Sequence, residues 1–326
     1  MQRFITGFFP FEHELQPAEV IKARGWWVTF ENIPDWTERS HHAGKTLFAV
    51  IHTSTLVTAS NAFNLIGAAL TARHGGLVGG TDLFPYPEAE TARHEIVQKY
   101  GVMAYTESTL HCGAIPESIR IAARASHSID AQYALLKYRM GCATYSLPPV
   151  ETDPHLATEH WGVIPFRESH VILASAIITY YSVVEQLGLE VKASKEKPSR
   201  LPNGEWNPPV FEDLTRRLTT SGILVREPIV WIQRGTPTKV GTTALKTAKS
   251  TKTPWTRGPY VRDKFIDVRD AILAASNLRS KVSSHRLDHK VASLTPYDVE
   301  NVRNLARRLL LTRLGCPVYE VFDSSE

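Results

Sequence analysis

The chain has 326 residues, 43% hydrophobic and 21% charged, with a formal net charge of +4. That length predicts two domains with sizeable cores, and the composition excludes a chain disordered throughout. Cys112, Cys142 and Cys316 lie far apart with no CxxC pair, which argues against a disulfide scaffold or a thiolate zinc cluster and fits a reducing, cytoplasmic setting. No apolar run approaches the roughly 18 residues of a spanning helix, so no membrane association is expected. The opening residues reach Pro10 and Glu12 too soon for a signal peptide.

Residues 1 to about 90 read as mixed, strand-leaning structure. Gly25–Phe30 and Thr46–Ile51 are apolar runs suited to strands. Leu56–Arg73 is ambiguous: Phe63, Ile66 and Leu70 recur at helical spacing, while the Thr and Val content permits a strand. Arg73–Asp82, rich in glycine, reads as a loop or tight hairpin. From Glu88 the helical signal dominates, with one helix to about Tyr105 and a longer one over Pro116–Tyr145. Ile119, Ala122, Ala123, Ile129, Tyr133, Leu136 and Met140 mark the apolar side of the second. Pro148, Pro149, Asp153 and Pro154 then break the pattern. The boundary placed there gives a mixed α/β N-terminal domain over residues 1–155 and a helical domain over 156–326, in a protein that is mainly α.

In the second half, Arg167–Leu187 repeats Leu173, Ile177, Tyr181 and Val184 at helical spacing and ends before Gly188. Lys192–Pro209 reads as a loop, Pro209–Ser221 as a short helix and Leu224–Thr238 as extended chain. Val240–Tyr260, poor in apolar periodicity, reads as a surface loop. A helix from Arg262 carries Phe265, Val268, Ile272, Ala275, Leu278 and Val282 on its apolar side. The closing amphipathic helix, Thr295–Leu314, has Thr295 as N-cap, Pro296 in its first turn and Asp298 near its positive end.

Between those last two helices lies the segment with the most chemical content. Arg279, followed by Ser280, precedes His285 by six positions. A permanent cation is thereby paired with a group that exchanges protons near neutral pH. Such a pair can cleave RNA without a metal: the imidazole moves a proton at the ribose 2′-hydroxyl or the leaving oxygen, and the guanidinium neutralises the charge that builds on phosphorus. Ser280 could hold the phosphate or orient the imidazole. In one uninterrupted helix Arg279 and His285 would lie about 240° apart. They converge if the helix breaks near Ser283–Ser284, or if the partners come from two protomers. Alternatively, His285 shares a stripe with Leu278 and extends the apolar seam.

Arg279-x5-His285, set before a capped amphipathic helix, resembles the Arg-x(4–6)-His motif of the HEPN superfamily. Arg167–Leu187, with Tyr180, Tyr181 and Glu185, resembles that family's first bundle helix. The resemblance covers about residues 165–320. It implies a helical bundle that dimerises, bringing two Arg–His motifs into one cleft for metal-independent RNA cleavage. His285 and Arg279 would then be catalytic and Ser280 accessory. The family's bacterial members are often toxins or antiviral effectors, which implies a cognate antitoxin or regulator as a partner. Ser280 stands where catalytic members often carry Asn, Asp or His, and a Lys-rich insertion precedes the motif helix. Both features fit the alternative of a non-catalytic HEPN-like module that binds a nucleotide or a protein partner.

Between residues 234 and 264, eight bases stand against the single acid Asp263. Within this basic loop Lys246, Lys249, Lys252 and Arg257 flank Trp255, a combination suited to phosphate contacts and base stacking on single-stranded RNA. Arg286 adds a further cation beside His285. The same bases also fit a solvated surface loop. His41, His42, His52, His74, His94, His155 and His160 form no metal-ligand pattern, and Gly75–Gly80 matches no phosphate-binding fingerprint. No metal or cofactor is expected.

Overall fold

The computed structural model describes residues 1–6, 19–31, 48–77, 83–86, 115–145, 167–226, 228–234, 261–282 and 294–316. The chain divides into two compact units, Met1–Leu135 and Leu136–Glu326. Seven helices and two small antiparallel sheets among the described residues make the protein mainly α. No helix among them is long and apolar enough to cross a membrane.

In the first unit, β1 (Gln2–Thr6), β2 (Ile21–Lys22), β3 (Trp26–Glu31), β4 (Phe48–Thr53) and β5 (Leu83–Pro85) form one sheet in the order β2-β3-β4-β1-β5. Every neighbouring pair is antiparallel. Both predicted strands are present, at Trp26–Glu31 and Phe48–Thr53. Phe48, Ala49, Val50 and Ile51 are all buried, so both faces of β4 are covered. At about 1.5–3 kcal/mol for each large apolar side chain, this strand anchors the unit.

The ambiguous segment after β4 is helix α1 (Leu56–His74). Its ends decide for helix over strand. The Thr55 hydroxyl accepts the Thr58 N–H at 3.1 Å, and Gly75, at φ +85°, donates to the Thr71 carbonyl at 2.8 Å. Arg73 places positive charge at the negative helix end. Between the caps, Ala59, Ala62, Ala68, Ala69 and Ala72 are buried, small enough for the helix to lie close against the sheet. The predicted helix over residues 88–105 lies outside the described residues.

The single helix expected over Pro116–Tyr145 is two helices, α2 (Ile115–Ala125) and α3 (Ile129–Thr144). Serines make the break. The Ser126 hydroxyl donates to the Ala123 carbonyl at 2.6 Å, while Ser128 accepts the Ala131 N–H at 3.3 Å. The turn resets the helical phase. Ile119, Ala122 and Ala123 are buried as expected, but Ala131, Ala134, Leu135, Tyr138 and Cys142 are the buried face of α3. Ile129, Tyr133, Leu136 and Met140 are exposed instead.

The second unit begins within α3. It adds α4 (Arg167–Gln186), α5 (Pro208–Thr220), β6 (Pro228–Arg234), β7 (Val261–Asp267), α6 (Val268–Val282) and α7 (Pro296–Arg313). The helix expected from Arg262 starts at Val268, because residues 261–267 pair with β6 in a hairpin, from Arg234↔Val261 to Pro228↔Asp267. Phe265 is therefore a strand residue opposite Val230. Asp267 ends the strand and starts the helix, its carboxylate accepting the Asp270 N–H at 3.1 Å.

Helix α7 starts as predicted. The Asp298 carboxylate accepts from the Thr295 backbone N–H at 2.8 Å and from its hydroxyl at 3.0 Å. Its expected polar side is not in water, however: Glu300, Asn301, Arg303, Arg307 and Arg308 are all buried. The helix packs on α4, α6 and β6, so its charged groups meet partners inside the protein, although the atoms Arg303 Nε and Arg308 Nη2 are buried without a hydrogen bond among the described residues. Arg303 Nη2 donates to Glu300 Oε1 at 2.5 Å, and Arg308 Nη1 to the Pro228 carbonyl at 2.8 Å. The Asn301 amide bonds both backbone groups of Ile232, accepting at 2.7 Å and donating at 2.8 Å, and so closes the outer edge of β6.

Tyr138, Cys142 and Tyr180 share this interior. The Tyr180 hydroxyl lies 3.2 Å from Cys142 Sγ, and burial raises the pKa of all three groups, so they stay neutral. Tyr180 fits because Gly141 leaves room: a Cβ there would lie 2.7 Å from the Tyr180 ring. Replacing Gly141 by alanine gains about 1 kcal/mol of helix propensity, but overpacking a ring with nowhere to move costs about 1–3 kcal/mol. Gly141→Ala is therefore expected to lower the urea midpoint of the second unit, and an unchanged or raised midpoint would contradict this packing.

Candidate functional site

Helices α4 and α6 carry the described part of the predicted motif. Each is fixed at one end before it presents a side chain at the other. At the C-terminus of α4, Leu189 N–H donates to the Val184 carbonyl at 3.0 Å around Gly188, which sits at φ +69°. Arg217 of α5 then holds the chain leaving the helix, donating to the carbonyls of Gly188 and Glu190, the latter at 2.8 Å. Its Nε donates to Asp213 at 2.9 Å, which fixes the guanidinium between two elements.

The N-terminus of α6 is held by the ordered segment 190–207. Arg200 pairs with Asp270, Trp206 Nε1 donates to the same carboxylate oxygen at 2.9 Å, and Arg200 lies over the Trp206 ring at 4.7 Å. Burial raises the Asp270 pKa and Asp267 adds to the rise, while Trp206 and Arg200 oppose it. One helix turn is thus tied to a loop by charge, a hydrogen bond and a cation–π contact.

With those ends fixed, the two helices meet along a polar ladder. Tyr181 and Glu185 are one turn apart on α4, and Ser276 and Arg279 one turn apart on α6. Tyr181 is buried. Burial raises its hydroxyl pKa, while hydrogen bonds from Ser276 and the Val191 N–H act the other way. On the next rung, Arg279 Nη2 lies 3.2 Å from Glu185 Oε1. Leu278 is buried beside it, whereas Ser280 is exposed. The Arg279 side chain is 41% exposed and that of Glu185 38%, so the pair opens to water.

Helix dipoles give this rung a direction. Arg279 sits in the last turn of α6, where a cation is favoured, and Glu185 in the last turn of α4, where a carboxylate is disfavoured. The guanidinium offsets that penalty and is oriented by it. A guanidinium has five N–H donors, so one that is 41% exposed and paired through Nη2 retains donors of the kind that suit a phosphate.

Of the predicted site, the structure thus describes Arg279 and Ser280, adjacent at the end of α6. His285, Arg286, Lys246, Lys249, Lys252, Trp255 and Arg257 lie outside the described residues. The basic segment is anchored differently from the expected loop: Arg234, Arg262 and Lys264 are strand residues of the β6–β7 hairpin, whose connection spans residues 235–260. Sequence reasoning missed the pairing of Glu185 with Arg279 and the Tyr181–Ser276 rung. The available signal was the four-residue spacing of Tyr181 and Glu185, obscured because Tyr181 also fits the apolar repeat. Among the described residues, no group of three or more His, Cys, Asp or Glu side chains gathers to hold a metal ion.

Comparison of the chain with protein-family models, curated proteins and solved structures finds no match.

An ion pair this exposed contributes about 0–1 kcal/mol. A double-mutant cycle of Glu185→Gln and Arg279→Gln is expected to give a coupling below about 1 kcal/mol that weakens further in salt. A coupling well above that, insensitive to salt, would mean the pair is a structural tie rather than an oriented surface group.

Proposed function

We propose that the second unit is a HEPN-like domain acting as a metal-independent endoribonuclease. The observation that carries this reading is the half-exposed Arg279 guanidinium in the last turn of α6, oriented by Glu185. In sequence it lies between the basic segment 234–264 and the buried closing helix. Arg279 binds the scissile phosphate and stabilises the charge that grows on its oxygens in the transition state.

His285 accepts the ribose 2′-hydroxyl proton as that oxygen attacks phosphorus, and a protonated imidazole gives a proton to the departing 5′-oxygen. The bond to the 5′-oxygen breaks as the 2′-oxygen bond forms, leaving a 2′,3′-cyclic phosphate and a 5′-hydroxyl. Pairing of two copies supplies both protonation states from two imidazoles in one cleft, which is the reason for a homodimer. Ser280 contacts the phosphate. Lys246, Lys249, Lys252, Trp255, Arg257 and Arg286 hold the flanking RNA by charge and stacking.

Two features favour a second reading, a non-catalytic module that binds a nucleotide or a protein partner. The Glu185 carboxylate partly neutralises Arg279, and the small Ser280 follows it. Single-turnover cleavage of a mixed RNA substrate in the presence of chelator separates the two. The nuclease reading expects His285→Ala and Arg279→Ala each to lose about 10²-fold or more in rate, with folding unchanged by circular dichroism. RNA binding without turnover by the unsubstituted protein, or cleavage rates in both variants unchanged from it, would support the second reading.

A further inference from the structure

The first unit carries an open hollow at one end of its sheet, of about 870 Å³. That is within the usual size range of small-molecule sites. Val20, Lys22, Trp26, Trp27, Thr53 and Ser54 are among its walls.

Three features define what such a hollow can hold. The first is a flat, fixed wall. Trp27 is parallel to the His52 ring, within 4° and with centroids 5.2 Å apart. His52 is fixed in turn: its Nε2 lies 2.7 Å from the Thr29 hydroxyl, which donates to Glu31 Oε1 at 3.0 Å. Because the carboxylate only accepts, the Thr29 proton is committed to Glu31 and His52 must donate from Nε2. The indole is therefore braced from behind by a chain of three side chains, and little ordering remains to be done when a ring stacks on it.

The second feature is charge. Lys22 is directly opposite Trp27 in the strand register, so the two side chains share a face. Among the described residues Lys22 is exposed and has no ion-pair partner. The third is the scarcity of other polar groups. The Thr53 hydroxyl is occupied, donating to the Gly25 carbonyl at 3.1 Å, which leaves the Ser54 hydroxyl and the two indole N–H groups as the other polar side-chain groups among the walls named, with Met1 also lining the hollow.

We infer that this hollow binds a small planar aromatic ligand bearing one anionic group, with its ring against Trp27 and its charge at Lys22. An aromatic carboxylate and a nucleoside monophosphate both have this chemistry. Isothermal titration of the full chain with 2-naphthoate and with adenosine 5′-monophosphate distinguishes them, using 2-naphthalenemethanol and inorganic phosphate as probes of the ring and the charge alone. Saturable one-to-one binding is expected for at least one of the two anionic rings, and the one that binds assigns the class. Each partial probe should bind at least tenfold more weakly, and Trp27→Leu and Lys22→Glu should each weaken the anionic ring at least tenfold. Lys22 is exposed, so its variant reads the site even if Trp27→Leu loses its fold. Absence of binding by both anionic rings, affinity unchanged in Lys22→Glu, or inorganic phosphate binding as well as the ring would overturn the assignment.

Discussion

An arginine with 1% of its surface exposed has to find its counter-charge inside the protein, and Arg303 finds it in Glu300, one turn earlier on the same helix. Burial opposes the charge on Arg303, but the nearby carboxylate outweighs it and holds the group above its ordinary pKa. Removing one partner alone would strand a charge in the core, a far larger penalty than the pair's own contribution to stability. This pair allows α7 to occupy the centre of the second unit although one side of its sequence is charged. Around it, Asn301 serves β6 as a strand neighbour would, and Tyr180, packed beside the neutral Tyr138 and Cys142, fills the space left by Gly141.

A centre built this way gives the neighbouring helices a rigid support. Helix α4 packs on α7, and α6 packs on both. The ends of α4 and α6 are further tied by Arg217 and by the Arg200–Asp270–Trp206 cluster. What remains free to meet a ligand is the far rung of the ladder, Glu185 and Arg279. Its energetic contribution to folding is small, and for that reason its orientation is available for function.

Local end signals made much of this fold readable. Thr295, Pro296 and Asp298 announced the start of the closing helix, and Gly188 the end of α4, because caps act through neighbours in sequence. The apolar runs of β3 and β4 were equally plain. Errors arose where distant contacts decide. Arg262–Asp267 reads as the start of the helix that follows, because the β6 strand that captures it lies on the far side of residues 235–260. The turn at Ser126–Ser128 reversed the exposed face of α3, since a periodic pattern carries no record of a phase reset. The buried charges of α7 resemble solvated ones in sequence, because only the packing reveals that no water is there. For the candidate site, Arg279 was legible from its position at a helix end, whereas Glu185 could gain its partner only after the fold brought α4 beside α6.

The central claim we propose is that the second unit presents Arg279 to the phosphate whose phosphorus an RNA 2′-hydroxyl attacks. The most direct test is the end chemistry of products formed by the full chain in EDTA, from an RNA and from the same sequence with 2′-O-methyl groups. The account predicts 2′,3′-cyclic phosphate and 5′-hydroxyl ends from the RNA and an intact methylated strand. Products with 3′-hydroxyl ends, cleavage of the methylated strand, or an uncut RNA would contradict it.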